Sequence, residues 1–278
     1  MTKLPDPLSE AQLHQFCDHG YLFVPGLFDD EETQMLITAA REDTLIRNKD
    51  FGVADREGKP VRLTVWNHPG DDIWGTVSRC NRIVGAAEQL LGGEVYHYHS
   101  KMILKEPKAG GAWEWHQDYG YWYKNGCLYP DLVSCMIALD KADRTNGCLQ
   151  VLKGSHKLGR IEHGMYADQT CADPERTEQV EKRLERVYCK LDPGDGLFFH
   201  ANLLHRSDAN ESDRPRWGLI CCYNAAHNDP YKEHHHPRYT PLHKIPDGAV
   251  KQMGAKLSAN RAAFLEPETD QTVRAKRD

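Results

Sequence analysis

The sequence predicts a mainly β fold with flanking helices: a sandwich or barrel of short strands, with helices from the N-terminal third packed outside. Three observations predict it. Strand-like segments recur at short, regular intervals from residue 94 to about 226. Before residue 94 the apolar residues follow a helical period behind capping signatures. The 278-residue chain also has 40% hydrophobic and 27% charged residues, an ordinary globular composition with length enough for a sizeable core.

The elements follow in order. Ser9-x-x-Gln12 is a capping box, so a short helix should run to about Asp18 before Gly20. Tyr21 to Val24 reads as a strand ending at Pro25-Gly26, and Asp29-x-x-Glu32 opens an amphipathic helix through Met35, Leu36, Ala39 and Ala40. Asp71 or Asp72 opens a further helix, with Ile73, Val77, Ile83, Val84, Ala87 and Leu91 on one side and Gly92-Gly93 as its stop. Strands are expected at 94–105, 113–118, 132–140 and 147–152, with Asn146-Gly147 as a turn. After a charged helical insertion at 174–186, further strands fall at 187–191, 196–200, 203–206 and 216–224. The remainder is rich in Pro, His and Lys and reads as an irregular wrap with a short helix near 258–265. With no internal repeat and no linker, one domain over 1–278 is expected: a core at about 94–226, N-terminal helical support at 1–93 and a C-terminal wrap at 227–278.

Composition excludes several function classes. A formal charge of −6 (35 − 41) and a pI near 6.2 argue against a phosphate-binding surface for nucleic acid. No run approaches the ~18 apolar residues of a membrane span, and the N-terminus lacks a secretory signal, so neither membrane nor export is expected. Nine cysteines without a Cys-x-x-Cys pair, several in apolar runs, read as buried free thiols in a reducing cytoplasm.

The count that stands out is 15 histidines. Two His-x-Asp pairs occur, His116-Gln117-Asp118 and His227-Asn228-Asp229, where chance alone yields about one, so context must decide. On a strand, period-2 geometry would point His116 and Asp118 to one face, and a polar pair facing a barrel interior needs a partner such as a metal. His227 and Asp229 run into Pro230 and read as a solvated loop. A third ligand could come from His97, His99, His200 or His205. His205 is set apart by Arg216, eleven residues on, which a hairpin over the polar turn 208–215 would return beside it. An imidazole for a metal would then sit next to a guanidinium fork for a carboxylate. Two His and one carboxylate leave three adjacent positions free, the arrangement of non-haem Fe(II) oxygenases. His97 and His99 read instead as satisfied sheet histidines, and His234-His235-His236 as a solvated loop with at most adventitious metal affinity.

Trp-His116-Gln117-Asp118, NGCLQVLKGSHKLG at 146–159, and PGDGLFFHANLLHRSDAN at 193–210 with Arg216 together resemble the phytanoyl-CoA dioxygenase family of Fe(II)- and 2-oxoglutarate-dependent oxygenases. The resemblance implies a double-stranded β-helix (jelly-roll, cupin-like) core. It implies His116, Asp118 and His205 as iron ligands, and Arg216 with Ser207 as the partners of the 2-oxoglutarate tail. Iron(II), 2-oxoglutarate and O2 are the implied cofactor and cosubstrates, with succinate and CO2 released. Asp118 stands where halogenating relatives carry a small residue, so hydroxylation is the implied outcome.

The substrate is expected to be a small molecule. Trp113, Trp115, Tyr119, Tyr121, Trp122 and Tyr123 crowd the first two ligands. They either pack into the core or, through Tyr119, Trp122 or Tyr123, line the pocket mouth, where rings could cage an amine. The resemblance does not carry over the substrate; hydroxylation at an unactivated C–H of a small polar, amine-bearing or zwitterionic metabolite is expected, such as the ectoine or aminophosphonates that some bacterial relatives hydroxylate. Acyl-CoA is the namesake alternative, with Arg56, Lys59 and Arg62 as the one basic group to meet its phosphates. A jelly-roll sensor that binds iron and 2-oxoglutarate without turnover is the non-enzymatic alternative.

Overall fold

The computed structural model describes residues 4, 6–44, 46, 51–166 and 169–257. The helix expected near 258–265 lies outside them. The N-terminal capping boxes form as read. Ser9 caps α1 (Glu10–His19), which Gly20 ends at φ 80°, and Asp29 caps α2 (Asp30–Glu42) with Glu32 bonding back. The single long helix expected after Asp72 is two: α3 (Ile73–Val77), capped by Asp72, and α4 (Asn81–Leu91), which restarts at Cys80.

A seven-stranded antiparallel sheet dominates. Its order is β1 (Tyr21–Val24), β11 (Gly196–His200), β6 (Leu132–Ala138), β13 (Arg216–Ala225), β4 (Val95–Lys105), β3 (Pro60–Trp66) and β2 (Phe51–Ala54). The second sheet runs β10 (Arg186–Cys189), β7 (Leu149–Leu152), β12 (His205–Ser207) and β5 (Trp113–His116). A hairpin of β8 (His163–Tyr166) and β9 (Gln169–Ala172) lies apart, before the one helix of the charged insertion, α6 (Pro174–Glu181). Strands β2, β3, β8 and β9 were not expected, although Val61, Leu63 and Val65 alternate in β3 as a half-buried strand should. The sheet thus draws strands from residues before 94.

The large sheet is apolar on both faces, which is why 217–223 reads as a run without a charged residue. One face carries Leu219, Cys221, Tyr223, Val133 and Met102 into a core with Leu36, Trp74, Ile83 and Val84 of the helices. The other carries Ile220, Cys222, Met136, Ile103 and Phe199 toward Leu149 and Val151 of the small sheet. The functional cavity opens within this second core.

The helical layer is tied by a partly buried ion pair. Arg82 of α4 meets both Glu32 carboxylate oxygens, at 2.7 and 2.8 Å, and also donates to Leu27 O. Glu32 in turn receives the Asp29 N–H of the α2 cap, and Asp247 receives Arg82 N–H, so three chain segments share the pair. Replacing Arg82 by Met strands a buried carboxylate and should cost about 3 kcal/mol, read as a lowered chemical-denaturation midpoint. A loss under about 1 kcal/mol would contradict this role.

Candidate metal centre

Cross-strand pairing brings the first two candidate ligands together. His205 of β12 stands opposite His116 of β5, with ring centroids 4.1 Å apart. Asp118 does not continue the strand as expected. The chain turns at Gln117, and Asp118 is the first residue of a short helix, α5 (Asp118–Trp122). The turn still aims its carboxylate at the pair: Asp118 Oδ1 is 4.0 Å from His116 Nε2 and 3.8 Å from His205 Nε2.

The donor set suits a metal. His116 Nδ1 lies 2.7 Å from Glu114 O, and His205 Nδ1 lies 2.9 Å from Leu203 O. Carbonyls only accept, so both Nδ1 atoms carry the proton and both Nε2 lone pairs face inward. One donor atom from each of the three side chains falls within 4.8 Å of the others, and all three residues are buried. Burial, then the neighbouring His205, pushes the His116 pKa well down; burial also lowers that of His205. For Asp118, burial raises the pKa, but Lys101, with Nζ 3.7 Å away, and then His205 and His116 outweigh it, holding the carboxyl well below its usual range. Two neutral imidazoles and one carboxylate are the ligand set of non-haem iron. Ser134 Oγ also donates to Asp118 Oδ2 at 3.2 Å and lies 3.3 Å from Cys222 Sγ.

Gln117, between the ligands in sequence, points away and is saturated. Its amide donates to Gly159 O and Asn202 O and accepts Ile161 N–H, while its backbone N–H goes to His163 Nε2. His163 packs so close to α5 that a Cβ on Gly120 would come 2.2 Å from its ring. These contacts position the turn that carries Asp118, and sequence reasoning missed them because every partner is distant in the chain.

Arg216 reaches the same cavity by a different route from the one expected. No hairpin joins it to His205: β12 pairs β5 and β7 in the small sheet, whereas β13 pairs β4 and β6 in the large one. The segment 208–215 crosses between sheets, held by Asn210 bonds to Gly110 O, Lys105 O and Arg214 O. Arg216 therefore faces the cavity from the opposite wall. It is buried, its Nε has no hydrogen-bond partner among the described residues, and burial lowers its pKa to about 10. Ser207, also buried, lines the same cavity. An unpaired buried guanidinium calls for an anion.

Beyond these, Leu63, Val65, Ile103, Met136 and Phe199 wall the cavity, and His99, Trp122 and His236 close it. Of the three aromatic residues expected at the mouth, Trp122 lines the cavity. Tyr119 is buried with its hydroxyl donating to Leu128 O, and Tyr123 is exposed under the Arg160 guanidinium. Trp113 and Tyr121 line it instead. His97 is a satisfied sheet histidine, bonded to Asn67 O and Ser100 Oγ, but His99 Nδ1 is buried without a partner among the described residues. The reading of His234–His236 as a solvated loop fails for His236, which is buried and stacked on His99 at 4.5 Å. His227 is exposed and bonds Asp131, as a loop residue would. Arg56 pairs with Glu114 and Lys59 with Glu57 and Glu211, which leaves these cations engaged rather than turned to a phosphate. Eight of the nine free cysteines are buried, Cys17 being exposed. No helix among the described residues is long and apolar enough to cross a membrane.

The family model described as phytanoyl-CoA dioxygenase matches residues 16–218. The chain belongs to the phytanoyl-CoA dioxygenase family. Among curated members similar to it, L-proline trans-4-hydroxylase of Streptomyces griseoviridis is 30% identical over 244 residues, covering 81% of this chain and 89% of that protein. Ectoine dioxygenase of Halomonas elongata is 29% identical over 246 residues, covering 81% and 73%. The structure of EctD from S. alaskensis with 2-oxoglutarate and 5-hydroxyectoine shares the fold, with a TM-score of 0.73 at 22% identity over 88% of this chain and 90% of that one. As a phytanoyl-CoA dioxygenase family member the protein has the double-stranded β-helix fold and is an Fe(II)/2-oxoglutarate-dependent dioxygenase, a hydroxylase using O2 as the second cosubstrate.

The Gln117 network is testable without any ligand. Gln117→Leu leaves the buried Ile161 N–H unpaired and should lower stability by at least about 2 kcal/mol in a denaturant titration. An unchanged midpoint would show that Gln117 does not hold the turn.

Proposed function

We propose that this dioxygenase hydroxylates an unactivated C–H of a small zwitterionic metabolite. In this reading His116, Asp118 and His205 hold iron(II), and Arg216 with Ser207 binds the distal carboxylate of 2-oxoglutarate. The observation that carries it is the layout of one cavity: three convergent ligand groups stand between an unpaired buried guanidinium and an aromatic, imidazole-rich end. Relatives named for L-proline and for ectoine, both small and zwitterionic, support the substrate class. We take 1–278 as one domain, since β1, β2 and β3 join the same sheet as β13.

When bound, iron(II) couples the oxidative decarboxylation of 2-oxoglutarate by O2 to hydroxylation of the substrate, with succinate and CO2 as coproducts. The chain's own residues prepare that chemistry. Glu114 O and Leu203 O fix the tautomers of the two histidines, so that each Nε2 offers a lone pair. Lys101 and Ser134 keep Asp118 ionised and oriented. Arg216 orients a diacid by its far end through a charged, bidentate-capable fork. The apolar walls exclude water from the reacting centre.

Succinate formation with iron(II), 2-oxoglutarate and either L-proline or ectoine tests the reading. Turnover stimulated by one of these zwitterions is expected; indifference to both would reject the substrate class. His116→Ala should abolish iron binding and turnover, while His227→Ala leaves both near wild type. Equal losses would reject the ligand assignment. Arg216→Ala should raise the 2-oxoglutarate requirement by about tenfold or more, the scale of one lost charged hydrogen bond. An unchanged requirement would remove Arg216 from the anchor role.

A further inference from the structure

The end of the cavity away from Arg216 is built around two stacked imidazoles. Register places it there: Arg216 stands opposite Lys105, Ile220 opposite Lys101 and Cys222 opposite His99, so His99 lies six residues along the sheet from the guanidinium. At roughly 3.3 Å per residue this is about 20 Å, with the Asp118 carboxylate beside Lys101 in between. His236 comes from the C-terminal wrap and lies flat on His99, with centroids 4.5 Å apart and planes within 15°. Trp122 meets His99 edge-on at 5.6 Å. All three side chains face the cavity.

The tautomer of His236 follows from its partner. Asn67 Nδ2 donates to His235 O at 2.6 Å, which assigns the amide and leaves Oδ1 as an acceptor. His236 Nδ1, 3.0 Å from that Oδ1, must therefore carry the proton. Burial, then the neighbouring His99, His235 and His234, holds the ring neutral. Its Nε2 is left as a bare lone pair on a residue that lines the cavity. An acceptor lone pair on a cavity-lining imidazole suits a protonated amine and disfavours an anion.

We infer that His236 is a specificity-determining residue: held by Asn67 as an Nε2 acceptor and stacked on His99, it takes an N–H of the substrate's ammonium group. This rests on the zwitterion reading above and adds to it which end of the substrate faces the wrap. The wrap segment 234–236 thereby selects substrates bearing an N–H donor, whereas Arg216 at the other end serves the diacid.

Two measurements test it. Long-range proton–nitrogen NMR on the full chain, 15N-labelled at histidine and loaded with diamagnetic zinc(II) and 2-oxoglutarate, reads the tautomer, with His236→Phe assigning the signal. A neutral Nδ1–H form is expected, and it should give way to a tautomer mixture in Asn67→Leu. An Nε2–H form or an imidazolium in the wild type would overturn the inference. The second measurement compares L-proline with its N,N-dimethyl betaine, which has no N–H, as stimulants of succinate formation. The wild type should favour L-proline by about tenfold or more in kcat/KM, mostly through KM, and His236→Phe should erase that preference. Equal use of both compounds by the wild type, or a preference that survives in His236→Phe, would overturn it. If neither L-proline nor ectoine is turned over, the zwitterion reading falls, and the NMR result by itself decides whether His236 presents an acceptor.

Discussion

The pairing of His116 with His205 across two strands of the small sheet is the constraint on which the centre depends. A cross-strand register is fixed to the residue, because a slip of one turns every side chain to the other face. The imidazoles therefore approach without any flexible loop setting their distance. The third group, Asp118, is delivered by a turn instead, and that turn needs its own support: Gln117, His163 and the absence of a side chain on Gly120 provide it. Precision by register and precision by a packed turn meet at one carboxylate oxygen.

The large sheet plays a complementary part. Because both of its faces are apolar, it is gripped by helices behind and by the small sheet in front, and β13 is buried along its whole length. A rigid backing of this kind lets a guanidinium be buried at one end of β13, and its desolvation is offset only when an anion arrives. The same strand pair sets the spacing between the two ends of the cavity. In the proposed reading, chemistry and recognition lie along a single ruler of alternating residues.

What the sequence made legible was mostly local. Capping boxes at Ser9 and Asp29, the apolar strands and the His-Gln-Asp motif all express short-range rules, and each has its counterpart in the structure. The errors are nonlocal or lie at junctions. Asp118 left the strand because one residue, Gln117, was committed to partners 42 to 85 positions away. Arg216 came from the opposite sheet because strand order is not written in loop length. His236 looked solvated in a run of polar residues, but distant partners bury it: a bond to Asn67, 169 positions earlier, and the ring of His99. Strand β3 also carries a local signal, the alternation of Val61, Leu63 and Val65.

The sulfur beside the centre has a chemical consequence. Cys222 lies against Ser134, which holds Asp118, so a thiol stands two contacts from the carboxylate of the proposed iron site. Burial pushes that thiol up to about 12, and it stays in its protonated form. Oxidative damage to cysteine proceeds through the thiolate, so dryness is also a form of passivation. The packing that shapes the cavity thus also keeps this sulfur in its unreactive form, and a polar substitution that wetted this corner would favour the thiolate before it altered the ligand set.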